Sequence, residues 1–180
     1  MTDPITREIL LNMLDSYNNY YRDLSSIKKV ISKVRLPNFP SEVYENVAKF
    51  AFYKYHGILP NWNTKKGDLV VKKNGNFLQI EVKASINLME GGPSSFGPTE
   101  DWDIILFVDC IDTLKGNFKV YQVNLSNKDP DWMVMKLNSC ETYGDICKLK
   151  KRPRIKFVEI LRQLDNKYIN VIFDGNISEL

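Results

Sequence analysis

The chain has 180 residues and a mass of 20.9 kDa, enough for one domain with a sizeable core. Hydrophobic residues make up 43% and charged residues 26%, an ordinary globular balance, and no apolar run approaches the roughly 18 residues that a membrane-spanning helix needs. One histidine, His56, rules out a multi-histidine zinc centre and disfavours a histidine-based triad, while a net charge of +3 permits a polyanionic partner without requiring one.

Met1-Thr2-Asp3-Pro4 lacks the basic-then-apolar pattern of a secretory leader. The three cysteines (Cys110, Cys140, Cys147) fit neither a zinc knuckle nor a redox pair, so a reduced, cytoplasmic chain with small buried thiols is expected. Asp3 reads as the cap of a first helix with Pro4 at its first position, and Ile5, Ile9, Leu10, Met13 and Leu14 recur at helical spacing. A second helical stretch is predicted over 24–34. Tyr17, Tyr20 and Tyr21 read as core or dimer interface rather than as base-stacking residues. Pro37 and Pro40 break the chain, and Ser41 reads as the cap of a third helix that Gly57 ends. Its buried stripe is Val43, Val47, Phe50 and Ala51, and His56 falls in its last turn, where a cation suits the dipole.

From Gly67 the apolar period shortens to two. Residues 68–73 read as one strand and 76–84 as the next, with Asn74-Gly75 between them, a strong hairpin signal because both turn positions need positive φ. A Gly/Pro loop over 91–98 follows, then a mostly apolar run, 103–109, of the kind found in a buried central strand. Residues 117–125 read as another strand, 154–164 as a helix and 168–173 as a last short strand. Trp62, Trp102 and Trp132 read as packing residues. This order predicts an α/β (α+β) fold with a central mixed β-sheet flanked by helices.

Chemistry concentrates at the hairpin. Leu78, Ile80, Val82 and Ala84 face one side of their strand, and Gln79, Glu81 and Lys83 the other. A two-residue loop pairs Lys73 with Asn76, and counting back puts Asp68 opposite Glu81, with Cβ atoms about 4.5–5.5 Å apart. Two such carboxylates repel, so Lys83 or a bound divalent cation must offset them, and without metal one carboxyl should titrate above its usual range. Carboxylates with a backbone carbonyl, here that of Val82, are hard ligands suited to Mg²⁺. A metal held there orients a water and stabilises charge on a phosphate, with Lys83 beside that water. Glu-x-Lys on a strand is common as a solvated face. The Asp set opposite it, and a Glu-rich helix before it, distinguish this arrangement as that of a metal-dependent phosphodiester hydrolase.

Gly67-Asp68 followed by Glu81-Val82-Lys83 resembles the motif of the PD-(D/E)XK nuclease superfamily, with Gly67 where the motif's name has Pro. The resemblance implies a restriction-endonuclease-like fold, Mg²⁺ as cofactor, and products with 5′-phosphate and 3′-hydroxyl ends. It makes Asp68, Glu81 and Lys83 catalytic, with Asp68, Glu81 and the Val82 carbonyl on the metal. Many members also carry a Glu on the preceding helix, for which Glu45 is favoured over Glu42. Within the superfamily the chain looks most like a small type II restriction endonuclease, by its size and by the segment 94–100 before Trp102-Asp103. The hairpin also resembles archaeal Holliday junction resolvases.

The implied partner is double-stranded DNA. Residues 148–156 hold six basic residues and no acid, as phosphate contacts require; Lys150, Lys151, Arg152 and Arg154 are the candidates there. Asn87, Ser94 and Ser95 from the loop after the catalytic strand, and Lys65 and Lys66 before Asp68, complete the set of expected DNA contacts. Cutting both strands calls for two active sites, so a homodimer is expected, with a cognate DNA methyltransferase in the same system. The layout read from the chain is a single nuclease domain, 1–180. In it 1–40 is helical and a candidate dimerisation region, 41–125 is the catalytic core, and 126–180 is a basic C-terminal part. The alternatives are a structure-specific endonuclease of junctions or damaged DNA, and an inactive DNA-binding module on the same fold.

Overall fold

A computed structural model of the chain describes residues 6–63, 68–73, 75–86, 94–95 and 101–180. Thr6 caps the first helix, its hydroxyl accepting the Ile9 N–H at 3.3 Å; Asp3 and Pro4 lie outside the described residues. α1 (Arg7–Val30) then runs unbroken for 24 residues. The two N-terminal helical stretches read from the sequence are therefore one, because no Gly or Pro between Leu14 and Leu24 interrupts the backbone. α2 (Ser41–His56) has Pro40, not Ser41, at its cap position, and it ends where Gly57 turns left-handed at φ 72°. Val43, Val47 and Ala51 are fully buried as expected, and Phe50 packs only partly against the core.

The strands are β1 (Asn61–Trp62), β2 (Leu69–Lys73), β3 (Asn76–Ile86), β4 (Ser94–Ser95), β5 (Ile104–Asp112), β6 (Asn117–Val123), β7 (Arg154–Ile155) and β8 (Ile169–Asn176). Six form one mixed sheet in the order β1-β2-β3-β5-β6-β8, with only β3 and β5 parallel. β4 and β7 pair separately as a short antiparallel ribbon. The remaining helices are α3 (Pro130–Met133), α4 (Tyr143–Lys148) and α5 (Phe157–Gln163). This is the α+β arrangement expected, a mixed sheet flanked by helices.

β5 is buried on both faces, as its apolar run predicts. Ile104, Leu106 and Val108 join the core under α1 and α2, while Ile105 and Phe107 join a second core with Trp102, Trp132, Tyr143 and Phe157. The expected C-terminal helix starts only at Phe157, because Arg154 and Ile155 are drawn into extended pairing with Ser95 and Ser94. Trp62 lies at the surface, and Cys140 is exposed, not buried as expected; Cys110 is buried and Cys147 intermediate. Among the described residues no helix is long and apolar enough to cross a membrane.

Candidate active site

The hairpin register is the one that the turn chemistry predicts. Lys73 pairs with Asn76 across Gly75, whose φ of 86° favours glycine, and the ladder runs back to Leu69 opposite Ile80. Asn74 lies outside the described residues. One step further, the Asp68 N–H donates to the Ile80 carbonyl at 3.1 Å. The Asp68 side chain turns onto β3 itself, its Oδ2 accepting the Val82 N–H at 2.7 Å. The N–H and C=O of one strand residue point the same way, so the Val82 carbonyl also faces this edge, beyond the last β2–β3 pair.

Ile80 and Val82 belong to the core under α2, and the alternation of the strand sends Glu81 and Lys83 to the other face. Glu81 is only 3% exposed and forms an ion pair with the Lys83 ammonium through Oε1. Burial raises the Glu81 carboxyl above its ordinary range; Lys83 opposes that shift, the Asp68 charge adds to it, and Arg152 weakly opposes it. The expected raised carboxyl is present. Its first cause is loss of water, and repulsion by Asp68 ranks below both burial and the Lys83 attraction.

Glu45 completes the cluster from α2. Half-buried, it is pushed up to about 7, first by burial, then by Asp68 and Glu42, with Lys83 pulling it down and Glu81 adding to the rise. The helix face thus brings Glu45 within electrostatic reach of all three hairpin groups. Glu42 is exposed. Two residues that the sequence did not single out, Tyr44 and Tyr143, are electrostatically coupled to this cluster, and Lys49 lies further along the same helix as Tyr44. Tyr44 feels Glu45 and Asp68 after burial and is pushed up to about 12, so its phenol stays protonated. Lys49, one turn beyond Glu45, is nearly buried with its ammonium 5.3 Å from the Trp62 ring centroid, and burial lowers its pKa. Tyr143 on α4, raised mainly by burial, also feels Glu81. Tyr44 and Lys49 lie one residue before and four after Glu45, so a search of its helix neighbours would have found them; nothing local marks Tyr143.

Among the described residues no three His, Cys, Asp or Glu groups converge on one point as a metal cage. The donors available are two carboxylates, Asp68 and Glu81, and the carbonyl of Val82. That set suits a hard cation that keeps several waters, and Mg²⁺ dehydrates reluctantly enough to be bound in this way. Negative charge gathered at a partly buried spot, with one ammonium against three carboxyl groups, gives such a cation an electrostatic reason to bind.

The basic segment reaches the same end of the molecule. Ser94–Ile155 and Ser95–Arg154 pairing ties the chain after β3 to β7, and Arg152 acts electrostatically on Glu81. Lys150, Lys151, Arg152 and Arg154 are all exposed. Lys148 is held by Asp145 at 3.3 Å, so one of the six charges of this segment is already engaged. Lys150 closes α4 in a left-handed conformation, φ 56°, with Lys150 and Lys151 N–H groups donating to the Cys147 and Ile146 carbonyls. That position usually belongs to Gly. Lys65, Lys66 and Asn87 lie outside the described residues, and Ser94 and Ser95 are described only as strand backbone.

The family model for the Bsp6I restriction endonuclease matches residues 6–163 of this chain. No curated protein and no solved structure matches it. The matched span runs from the start of α1 to the end of α5 and includes every candidate residue named above. The mixed sheet with its helices is consistent with a restriction-endonuclease-like fold.

Proposed function

The chain belongs to the Bsp6I restriction endonuclease family, and from that premise we propose that it is a type II site-specific deoxyribonuclease. It cleaves both strands of duplex DNA by Mg²⁺-dependent phosphodiester hydrolysis within a restriction–modification system whose DNA methyltransferase protects the host sites. The observation that carries this reading is the juxtaposition of Asp68 with Glu81 and Lys83 at one end of the β2–β3 hairpin, with Glu45 on α2 within electrostatic reach of all three. On this reading the chain is a PD-(D/E)XK nuclease of one domain, with 41–125 as its catalytic core, working in the cytoplasm.

Asp68, Glu81 and the Val82 carbonyl would hold the ion. When bound, Mg²⁺ supplies positive charge against the scissile phosphate and acidifies a water. Lys83, paired with Glu81 on the same face of β3, would position the attacking water with its ammonium. Glu45, with its raised proton affinity, supports the cation or the waters around it. Lys65, Lys66, Asn87, Ser94, Ser95, Lys150, Lys151, Arg152 and Arg154 grip the duplex. Of these, Arg152 sits within electrostatic reach of Glu81, a position suited to the phosphate being cut. The products carry 5′-phosphate and 3′-hydroxyl ends, and two copies act together, one on each strand.

Incubating the protein with a sequenced phage DNA and Mg²⁺ tests this. Discrete fragments with defined ends are expected, abolished by EDTA and by Glu81→Ala. Intact linear DNA alongside cleavage of a four-way junction would favour a structure-specific nuclease. Tight binding without Mg²⁺-dependent cutting would mark an inactive DNA-binding module.

A further inference from the structure

The fully buried residues of α1 all lie in its first half. Its buried residues are Leu10, Leu14, Tyr17 and Asn18, and no residue from Asn19 to Val30 is buried, although the helix continues for about 18 Å past Asn18. Apolar side chains crowd this projecting half: Tyr20 is 56% exposed, Ile27 46% and Val30 86%, and Ile31 just beyond is 54% exposed. Beside the anchored half lies an open groove of about 520 Å³, bordered by Ile9, Met13, Ser16, Tyr20 and Pro40.

We propose that two copies of this chain pair antiparallel along α1, about a two-fold axis passing Tyr20. The stripe is complementary to its own reverse. Antiparallel pairing centred on residue 20 sets Ile9 against the partner's Ile31, Met13 against the partner's Ile27, Ser16 against the partner's Leu24, and Tyr20 against its own copy. The spacing alternates between three and four residues over most of its length, as a helix–helix seam requires, and the projecting half of each arm fills the groove beside the anchored half of the other. Self-complementarity of this kind is the mark of an isologous contact. Charge favours the same direction. Arg7, Glu8 and Asp15 give the first half a net −1, and Arg22, Asp23, Lys28 and Lys29 give the second half a net +2. Antiparallel arms bring Glu8 near the partner's Lys29 and Asp15 near the partner's Arg22. Parallel arms would set Lys28 and Lys29 against their own copies.

The inference names the interface of the homodimer proposed above. Its test reads association and not cleavage, so a dimer lacking nuclease activity would overturn the enzymatic reading alone. Sedimentation velocity on the full chain at micromolar concentration should show a dimer. Ile27→Asp with Ile31→Asp, both at exposed positions, should weaken association at least 100-fold with unchanged far-UV circular dichroism. In a Cys140→Ser background that does not itself cross-link, Tyr20→Cys should give a disulfide-linked dimer under mild oxidation. Ile9→Cys alone should not, because its copy lies about 33 Å away along the paired helices; combining it with Ile31→Cys should restore cross-linking. A monomeric wild type, a dimer indifferent to the Ile27 and Ile31 changes, or Ile9→Cys linking as readily as Tyr20→Cys would each overturn the proposal. The last of these would point to parallel or unspecific contact.

Discussion

Glu81 is an acid kept from water, and its neighbours decide what that costs. A buried carboxylate is tolerable when a cation answers it, and Lys83 does so through an ion pair on the same face of β3. If Lys83 positions the attacking water, Lys83→Ala should lower the cleavage rate by about 10²–10⁴-fold while leaving DNA binding at equilibrium nearly intact, as single-turnover kinetics with a binding titration would show. Glu45 is half-buried among like charges, and its carboxyl is raised to about 7 from 4.5. A raised folded-state pKa means that the folded protein holds the proton between pH 4.5 and 7 while the unfolded chain releases it. Stability is therefore lost as pH rises through that window. The full shift corresponds to roughly 3 kcal/mol, which solvent screening at a half-buried site reduces to about 1–2 kcal/mol. Glu45→Gln should accordingly stabilise the metal-free protein by about 1–2 kcal/mol at pH 8 and by almost nothing at pH 4. Urea unfolding in EDTA at the two pH values checks this; equal midpoints at pH 8 would remove Glu45 from the charge cluster.

At the scale of elements, the hairpin and the β4–β7 ribbon do the positioning. The turn fixes the β2–β3 register, and a slip of one residue would turn Glu81 and Lys83 to the opposite face. Gly75 has open space where a Cβ would sit, so Gly75→Ala costs backbone strain alone, about 1 kcal/mol at φ 86°. A fall of that size in thermal stability, with a larger fall in cleavage, would show that turn geometry governs the site. Lys150 presents the reverse case. A lysine occupies a left-handed helix end where glycine is at ease, so strain is retained in a segment proposed to grip DNA. Lys150→Gly should raise stability by up to about 1 kcal/mol and weaken DNA binding at the same time. Improved or unchanged binding would mean that the lysine serves no DNA contact.

Over the whole molecule, a sheet covered by helices on both faces leaves one end for the acidic cluster and the basic segment together. With a net charge of only +3, the DNA affinity proposed for this chain is expected to come from this local concentration of charge and not from the overall field. Each phosphate contact contributes about 0.9 to the slope of log affinity against log salt, so Lys151→Ala and Arg154→Ala should each lower that slope by about 1. Fluorescence anisotropy with a short duplex in EDTA measures it. An unchanged slope would place these side chains away from the backbone of the duplex.

The hairpin was legible because everything that builds it is local: an Asn-Gly turn, a two-residue apolar period, and a register obtained by counting from the turn. The α2 helix with its glycine stop, and the buried β5 run, were legible for the same reason, since each is set by its own residues and their immediate neighbours. The continuity of α1 was missed because residues 15–23, which join its two apolar stretches, are polar apart from three tyrosines and interrupt the apolar period. β4 and β7 are two residues each and lie some sixty residues apart, too short to carry a pattern of their own. Local chemistry alone accounts for the turn, the register and the placing of Asp68 beside the strand that carries Glu81 and Lys83. Tertiary packing alone buries Glu81, brings Glu45 on α2 within electrostatic reach of the hairpin and brings Arg152 close enough to act on Glu81. Burial and long-range electrostatics depend on which distant segments exclude water from a side chain, and that is set when the helices and the ribbon close over the sheet.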